Sequence, residues 1–588
     1  MSGISVPGTE QSEGNVTGAE LSLTLGSCVA FMALVAMVAY YYTRGETDSK
    51  DGYFLAGRNL GGIFIAGSLL LTNLSAEQLI GLNGSAYGFN MSSMAWEVTA
   101  AISTVAMAMI FLPRYLAGAF TTLPEFLRGR FDEDVQRMSV LLFMLGYGLV
   151  TIPSVLYSGS IAVIKLFDVP TLLSVTQFQA LVITVLTIGF VGAIYAVFGG
   201  LKAVAVSDTL NGVGLLIVGA LVPVLGLIAL GQGDFFGGLS TILTEHPEKL
   251  NAIGDETAPT PFGTLFTGMI FANLFYWCTN QYVIQRTLAA RNLAEGQKGV
   301  LFSGFFKLLV PLFMMIPGVI AFHLYSPDLA SIDEAYPALI RDVFPVWMMG
   351  FFLAVLFGAV FSSFNSLLNS AATMFTLDIY TPLRGGSVGD KEAVRVAMIA
   401  SVVIALFSFV VAPLLSFAPE GLWQIIRIFT GFYNIPIIAI VLVGLFTRYT
   451  PAIGAKLVIG FHILVYGAYR LLVQFYPEDI TIHFLHVYAI LFAMEVGIML
   501  IAGRLAPRPT PWTFERKEIV DLTPWRFARP VAITLLSLVV ALYVCFSPIG
   551  LAGESSGSAM YGILAILAGI NMIAWLQIRN KTKVLSAN

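Results

Sequence analysis

Three ionisable residues stand inside long apolar runs: Glu97 in MSSMAWEVTAAISTVAMAMIF, Lys307 in VLFSGFFKLLVPLF and Arg427 in LWQIIRIFTGFYNIPI. A charge at the centre of a bilayer costs at least ~2.5–3.5 kcal/mol on insertion scales, so such residues are candidates for a polar cavity. Snorkelling to the interface is the alternative, and it suits Glu97 better than Lys307, which lies about ten residues into its run. Amides and hydroxyls cluster in the same way. Asn73, Ser75, Glu77 and Gln78 fall together in SLLLTNLSAEQLIGLNGSAY, and Asn273 precedes Thr279, Asn280 and Gln281 in GMIFANLFYWCTNQYVIQRT. A third run, FGAVFSSFNSLLNSAATMF, holds Ser362, Ser363, Asn365, Ser366, Asn369 and Ser370. Its hydroxyls could pack helices closely or serve as hard oxygen ligands. A Na⁺ ion needs about five oxygens, which two hydroxyls and unwound carbonyls can supply. Asp208, after GGLKAVAVSD, reads either as a helix N-cap or as a cation attractor at the inner mouth.

These groups bind and orient; they do not form a catalytic set. No nucleophile stands beside a base, and the five histidines and three cysteines show neither HExxH nor CxxC spacing. His483 and His486 sit at i,i+3 without the carboxylates a metal would need. An enzyme is therefore not expected, and neither is a resident metal or a disulfide framework.

The elements that must position these residues follow from composition. In 588 residues the apolar fraction is 57% and the charged fraction 11%. Soluble domains carry about 25% charge, so this chain could not cover a water-facing surface. Apolar runs of about 20 residues recur throughout, giving an all-α polytopic membrane protein and excluding disordered and nucleic-acid-binding classes. Fifteen spans are expected, at about 21–43, 60–84, 91–112, 138–166, 171–199, 208–230, 263–285, 298–323, 346–376, 394–416, 422–446, 452–473, 483–503, 530–547 and 559–578. With the N-terminus outside, 25 of the 31 basic residues fall on inner connections, and only Lys165, Lys249, Arg341 and Arg470 fall outside. That asymmetry places the C-terminus in the cytoplasm of a cell (inner) membrane protein. The Pro-broken, basic segment at about 504–529 reads as lying on the membrane surface.

Two spans, the second and the seventh, are interrupted mid-membrane by polar residues, each at an Asn-Leu step. Four intact spans lie between them and four follow the second, a pattern of five helices repeated twice with a broken first helix in each half. Matched breaks of this kind point to a midplane binding site in a transporter.

At these residues the chain resembles the solute:sodium symporter family, and within it the sodium/glucose and sodium/galactose cotransporters. The carrying motifs are LLTNLSAEQLIGLNGSAYG at 70–88, IYAVFGGLKAVAVSD at 194–208, ANLFYWCTNQYVIQRTLAARNLAEGQKG at 272–299 and SSFNSLLNSAATMFTLDIY at 362–380. The whole pattern looks closest to the YidK-type bacterial symporters. The resemblance implies a LeuT-like fold of inverted five-helix repeats, with one extra N-terminal and about four extra C-terminal helices. It divides the chain into 1–59 (external N-terminus, first helix and inner loop), a transport core at 60–446, and peripheral helices with a cytoplasmic tail at 447–588. It implies a sodium site from the carbonyls of Leu71, Leu74 and Ala359 with the hydroxyls of Ser362 and Ser363. The implied sugar site takes Asn73, Gln78, Glu97, Asn273 and Lys307. The implied gates are Tyr276 inside, and Leu82, Trp96 and Trp423 outside. Asp208, Asn365 and Ser366 would form a second sodium site or an ion exit. Two positions depart from the family: Ala100 replaces a sugar-contacting serine, and Arg427 replaces a sugar-contacting amide.

The function so implied is Na⁺-driven import of a hexose, such as glucose or galactose, by alternating access. The alternative is an anionic sugar. If Arg427 pairs with Glu97, the substrate is neutral; if Glu97 pairs with Lys307, Arg427 is left to fork onto a sugar acid or sulfate. A membrane sensor would need an output domain, and the longest inner segment has only about 26 residues. The implied partners are Na⁺, a small-molecule sugar and the lipid bilayer, with no nucleic acid.

Overall fold

The computed structural model describes residues 18–43, 49–329, 331–386, 388–417, 422–476, 478, 480–553 and 557–585. Among these, thirteen helices are long and apolar enough to cross a membrane, and a bent pair makes a fourteenth span. Two half-helices separated by a break make a fifteenth. In chain order they are α1 (Gly18–Thr43), α2 (Gly62–Asn73 and Ala76–Gly88), α3 (Met91–Gly118), α4 (Glu133–Ile164), α5 (Gln177–Ile194), α6 (Gly200–Leu230), α7 (Gly268–Cys278 and Gln281–Leu288), α8 (Leu293–Tyr325), α9 (Val346–Leu383), α10 (Asp390–Phe417), α11 (Leu422–Phe446), α12 (Ala452–Phe475), α13 (Phe484–Leu505), α14 (Ala528–Cys545) and α15 (Ser558–Leu585). Residues 1–17 and 586–588, whose side of the membrane was expected from the charge census, lie outside the described residues.

The spans match the hydropathy pattern closely except at α6. It begins at Gly200, eight residues before its expected start at Asp208. Helix runs on either side of Gly200, whose φ of 60° and ψ of −175° break the axis. Only glycine takes that backbone without strain, and a Cβ there would stand 3.1 Å from the Tyr53 carbonyl. Asp208 therefore lies two turns inside α6 and caps nothing.

Four spans contain a π turn, at Met107–Phe111, Tyr147–Thr151, Pro311–Met315 and Phe375–Tyr380. Each ends two residues before a proline: Pro113, Pro153, Pro317 and Pro382. A proline offers no N–H to the carbonyl four residues back and clashes with it. In all four cases that carbonyl lies inside the π turn, which widens the ladder locally and relieves the clash.

Helix α9 occupies the middle of the molecule, packed against α1, both α2 and α6, and also α4 and α10. Its hydroxyl-rich stretch from Ser362 to Ser370 is buried throughout. The segment expected on the membrane surface forms a strap across one end of the bundle. The Lys517 amide donates to the Ala117 carbonyl, the Trp512 amide to Arg448, and the Leu293 amide to Asp521. The Trp512 and Phe514 rings pack edge-on against Phe126 and Phe120. Arg130, fully buried, bonds the carbonyls of Gly444, Thr447 and Thr450 beneath it. These rings and backbone groups tie the strap to the helix ends, while Leu505 and Ile519 stay exposed.

Candidate functional site

The first break lies between the halves of α2. Leu74 (φ −85°, ψ 86°) and Ser75 (φ −90°, ψ 170°) leave helical geometry, and the two halves bend by 57°. In an unbroken helix the Ser75 amide would serve the Leu71 carbonyl and the Gln78 amide the Leu74 carbonyl. Here the Ser75 amide turns to Asn73 and the Gln78 amide to Ser75, each at 3.1 Å. The Leu71 and Leu74 carbonyls thereby lose their ladder donors. Helix α9 brings Ser363 to the same place: its hydroxyl donates to the Thr72 carbonyl at 3.1 Å. The Ser362 hydroxyl, one residue earlier, is buried without a hydrogen-bond partner. Ala359 lies one turn back on α9 and is fully buried. The carbonyl and hydroxyl oxygens expected to hold sodium thus belong to two elements in contact at one break.

A cavity of about 170 Å³ opens beside this break. Asn73, Gln78, Glu97, Asn273 and Lys307 all line it. Lys307 and Glu97, 1% and 3% exposed, form a salt bridge with each other. The Gln78 amide donates to Glu97 Oε1 at 3.2 Å, and the Asn273 amide donates to Thr99 Oγ1 at 2.9 Å. The acceptor oxygens of Asn73, Ser75 and Gln78 are buried and have no partner. Ala100, at the position of the missing serine, also lines the cavity. Of the two pairings open to Glu97, the one with Lys307 is present. Arg427 and the gate residue Trp423 lie on α11, but their side chains are outside the described residues, as is that of Glu77.

Tyr276 lines the cavity, with its ring edge-on to Tyr282 at 5.7 Å. A second cavity, of about 490 Å³, adjoins on the other side; Trp96 and Phe484 line both, and Leu82 lines only the second. Phe484 and Tyr488 come from α13, outside the ten repeated helices. Sequence reasoning missed them, since aromatic residues at a helix start carry no signal of what they face.

Asp208 is 1% exposed and accepts a hydrogen bond from Ser68 at 2.6 Å. With Ser207, Asn211, Ser362 and Asn365 it lines a small void. Ser366 is turned elsewhere, hydrogen-bonded to Thr72 and to Arg286. Arg286 is the main residue missed from sequence. Counted among inner-connection charges, it lies in the second half of α7, fully buried, bonded to Ser68, Ser366 and the Tyr282 carbonyl. Ser68 thus bridges the guanidinium to Asp208. Its position at the end of an apolar run looks like that of any inner-loop cation, so the local sequence does not mark it as buried.

The chain matches the sodium:solute symporter family over residues 53–459. It is 44% identical over 530 residues to the uncharacterized symporter YidK of Escherichia coli, covering 90% of this chain and 92% of that one. It is 31% identical over 491 residues to the sodium/glucose cotransporter of Vibrio parahaemolyticus, covering 79% and 88% of the two chains. The human sodium/myo-inositol cotransporter 2 is 29% identical over 481 residues, with 76% and 69% covered. Among solved structures, a substrate-bound, outward-open Na⁺-coupled sialic acid symporter superposes with a TM-score of 0.70 at 20% identity, over 83% of this chain and 99% of that one. The shared architecture is the LeuT-like fold.

Proposed function

The chain belongs to the sodium:solute symporter family, with Na⁺ as its co-transported ion, and from that premise we propose that it imports a neutral sugar of hexose size by alternating access. Na⁺ binds at the first break, between the Leu71, Leu74 and Ala359 carbonyls and the Ser362 and Ser363 hydroxyls. It braces the two halves of α2 and so fixes Asn73 and Gln78 for the sugar. The sugar sits among Asn73, Gln78, Glu97, Asn273 and Lys307, with Tyr276 closing the inner side and Leu82, Trp96 and Trp423 the outer. Asp208, Asn365 and Ser366 serve ion exit or a second Na⁺. The working unit is the core at 60–446, with the N-terminus outside the cell and the C-terminus in the cytoplasm. No covalent chemistry is required of it.

The observation that carries this reading is the set of unsatisfied acceptor oxygens on the cavity wall beside the Lys307–Glu97 pair. The pair offers an ammonium donor and carboxylate acceptors with no net charge. Beside it stand acceptor oxygens of Asn73, Ser75 and Gln78 that no protein group satisfies. Sugar hydroxyls both donate and accept, so they can complete this set, and burial without a partner is costly for each member. The relatives named for glucose and myo-inositol are consistent with an uncharged polyol. One observation favours an anionic sugar instead: Lys307 already neutralises Glu97, the pairing under which Arg427 is expected to serve a substrate anion.

Competition in proteoliposomes under an inward Na⁺ gradient tests the choice. Glucose or galactose accumulating, with glucuronate and sulfated sugars inert as competitors, is the expected result. The opposite ranking replaces the neutral sugar with the anionic one, and accumulation of neither sugar class removes the sugar reading.

A further inference from the structure

Beyond the cavity, α12 and α13 carry a buried ionisable pair. His462 and Glu495 are both 0% exposed. Nδ1 of His462 lies 2.6 Å from Glu495 Oε1, and Nε2 lies 2.9 Å from the Gly431 carbonyl on α11. A carbonyl only accepts, so Nε2 must carry a hydrogen. One further proton then lies between Nδ1 and the carboxyl group. Imidazolium with carboxylate and imidazole with carboxylic acid are the two forms, and both have zero net charge. Without that proton, a ring lone pair faces a buried carboxylate. Glu495 Oε2 has no hydrogen-bond partner to share the charge, so the contact would become repulsive.

The surroundings make this contact a clamp on α11. The Tyr466 ring stacks on His462 at 5.4 Å. The Tyr466 and Tyr488 hydroxyls reach Gly431 so closely that a Cβ there would overlap both. Arg427 lies one turn before Gly431 on α11, with its side chain outside the described residues; among the described residues, the other charged groups on these helices and on the neighbouring end of α4 stand near helix ends. Lys456 pairs with Asp132 and Asp134, Arg504 lies in the last turn of α13, and Arg470 lies over Tyr469. His486 meets Thr267 at 3.0 Å. Just past the clamp, Pro436 removes the amide that would bond the Phe432 carbonyl, a weak point in α11. Thr430, Tyr433 and Asn434 of the same stretch line the cavity, as Tyr488 does from α13.

We propose that the His462–Glu495 pair is a proton-holding latch. It fixes the N-terminal half of α11 against α12 and α13, and loss of its shared proton frees the Thr430–Asn434 wall and opens the cavity to the outside. This rests on the alternating-access reading, but the test below reads exposure, so it stands or falls whichever solute is carried.

The test labels Thr430→Cys with a membrane-impermeant thiol reagent in sealed proteoliposomes containing Na⁺. The background from Cys28, Cys278 and Cys545 is subtracted, and rates are divided by that of free cysteine at each pH. The normalised rate is expected to rise severalfold as the pH is raised. Glu495→Gln, whose amide can donate to Nδ1 and has no proton to lose there, should stay slow and flat. His462→Ala should label fast at every pH. A flat profile in the Thr430→Cys chain overturns the latch, and so does a Glu495→Gln profile that still rises. If Glu495→Gln does not fold, the His462→Ala arm decides: a profile that rises with pH as its parent does overturns the latch, and a fast, flat one supports it.

Discussion

The two broken helices are matched in sequence and opposite in what they leave unsatisfied. At the first break, the Leu71 and Leu74 carbonyls lose their ladder donors, and the oxygens of Asn73, Ser75, Gln78 and, across on α9, Ser362 find no partner. At the second, the polar groups are answered from within the protein. Phe275 O takes the Thr279 and Asn280 amides, each at 2.9 Å. Asn280 Oδ1 accepts from the Tyr147 hydroxyl, and Gln281 Oε1 accepts from the Leu123 amide at 2.8 Å. One turn on, Gln285 bonds Phe54, Asn369, Thr373 and Ser370. Unpaired buried acceptors are rare and costly unless something else fills them. On the function proposed above, the first break would serve cargo and the second closure, although a hydropathy plot shows them as equivalent.

The largest effect is expected where cargo groups meet a buried charge. Lys307→Met leaves the Glu97 carboxylate buried and unpaired, a loss of about 3–5 kcal/mol when one partner of such a pair is removed. Melting in detergent should fall sharply and uptake should vanish. The double variant Glu97→Gln/Lys307→Met should regain most of the melting temperature and none of the uptake. Recovery of uptake in the double variant would move the pair from the cargo side to the structural side.

Ser363→Ala comes next. It removes one oxygen from the first break without adding bulk, and among the described residues the hydroxyl's hydrogen bond is to the Thr72 carbonyl. The Na⁺ concentration for half-maximal uptake should rise by about tenfold or more, equivalent to ~1.4 kcal/mol. The melting temperature without Na⁺ should barely change. An unaltered Na⁺ dependence would mean that the ion does not use this break.

Much of this contrast is legible in the sequence, because a break announces itself by polar residues inside an apolar run. Span lengths are legible for the same local reason. What a break does with its polar groups is not, since the answer lies on other elements: Tyr147 on α4 for Asn280, and α9 for the first break. Arg286 illustrates the limit. Along the chain it follows an apolar run like any inner-loop cation, yet its half-helix re-enters the bundle and buries it beside Ser68 and Ser366. The sequence puts Asp208 at a helix start after GGLKAVAVSD, whereas in the structure one glycine with positive φ makes the turn eight residues earlier. The partner of Glu97 could only be stated as a choice, since its candidates lie 210 and 330 residues away in the chain.

Asn280→Ala probes the closure side at moderate size. It leaves the fully buried Tyr147 hydroxyl without its acceptor, a loss of about 1–3 kcal/mol. The expected result is a lower melting temperature with the apparent Na⁺ affinity unchanged, the reverse of Ser363→Ala. A shift in Na⁺ affinity instead would make the second break part of the ion site and erase the asymmetry.

The smallest effects come from hydroxyls at equivalent places, and they test the comparison most directly. The Thr279 hydroxyl donates only to the Phe275 carbonyl of its own half-helix, which the Thr279 and Asn280 amides already serve. Thr279→Val keeps the shape and removes a redundant bond, so stability should change by less than about 1 kcal/mol and uptake should be normal. The Ser75 hydroxyl at the first break is buried, lines the cavity and bonds nothing. Ser75→Ala removes an unsatisfied group, so the melting temperature should hold or rise slightly, yet the substrate concentration for half-maximal uptake should increase a few-fold because a sugar hydroxyl loses its partner. The two variants delete the same chemical group at matched breaks, and the asymmetry requires that only Ser75→Ala change transport. Equal effects on uptake, or a melting loss confined to Ser75→Ala, would show that both breaks do the same work.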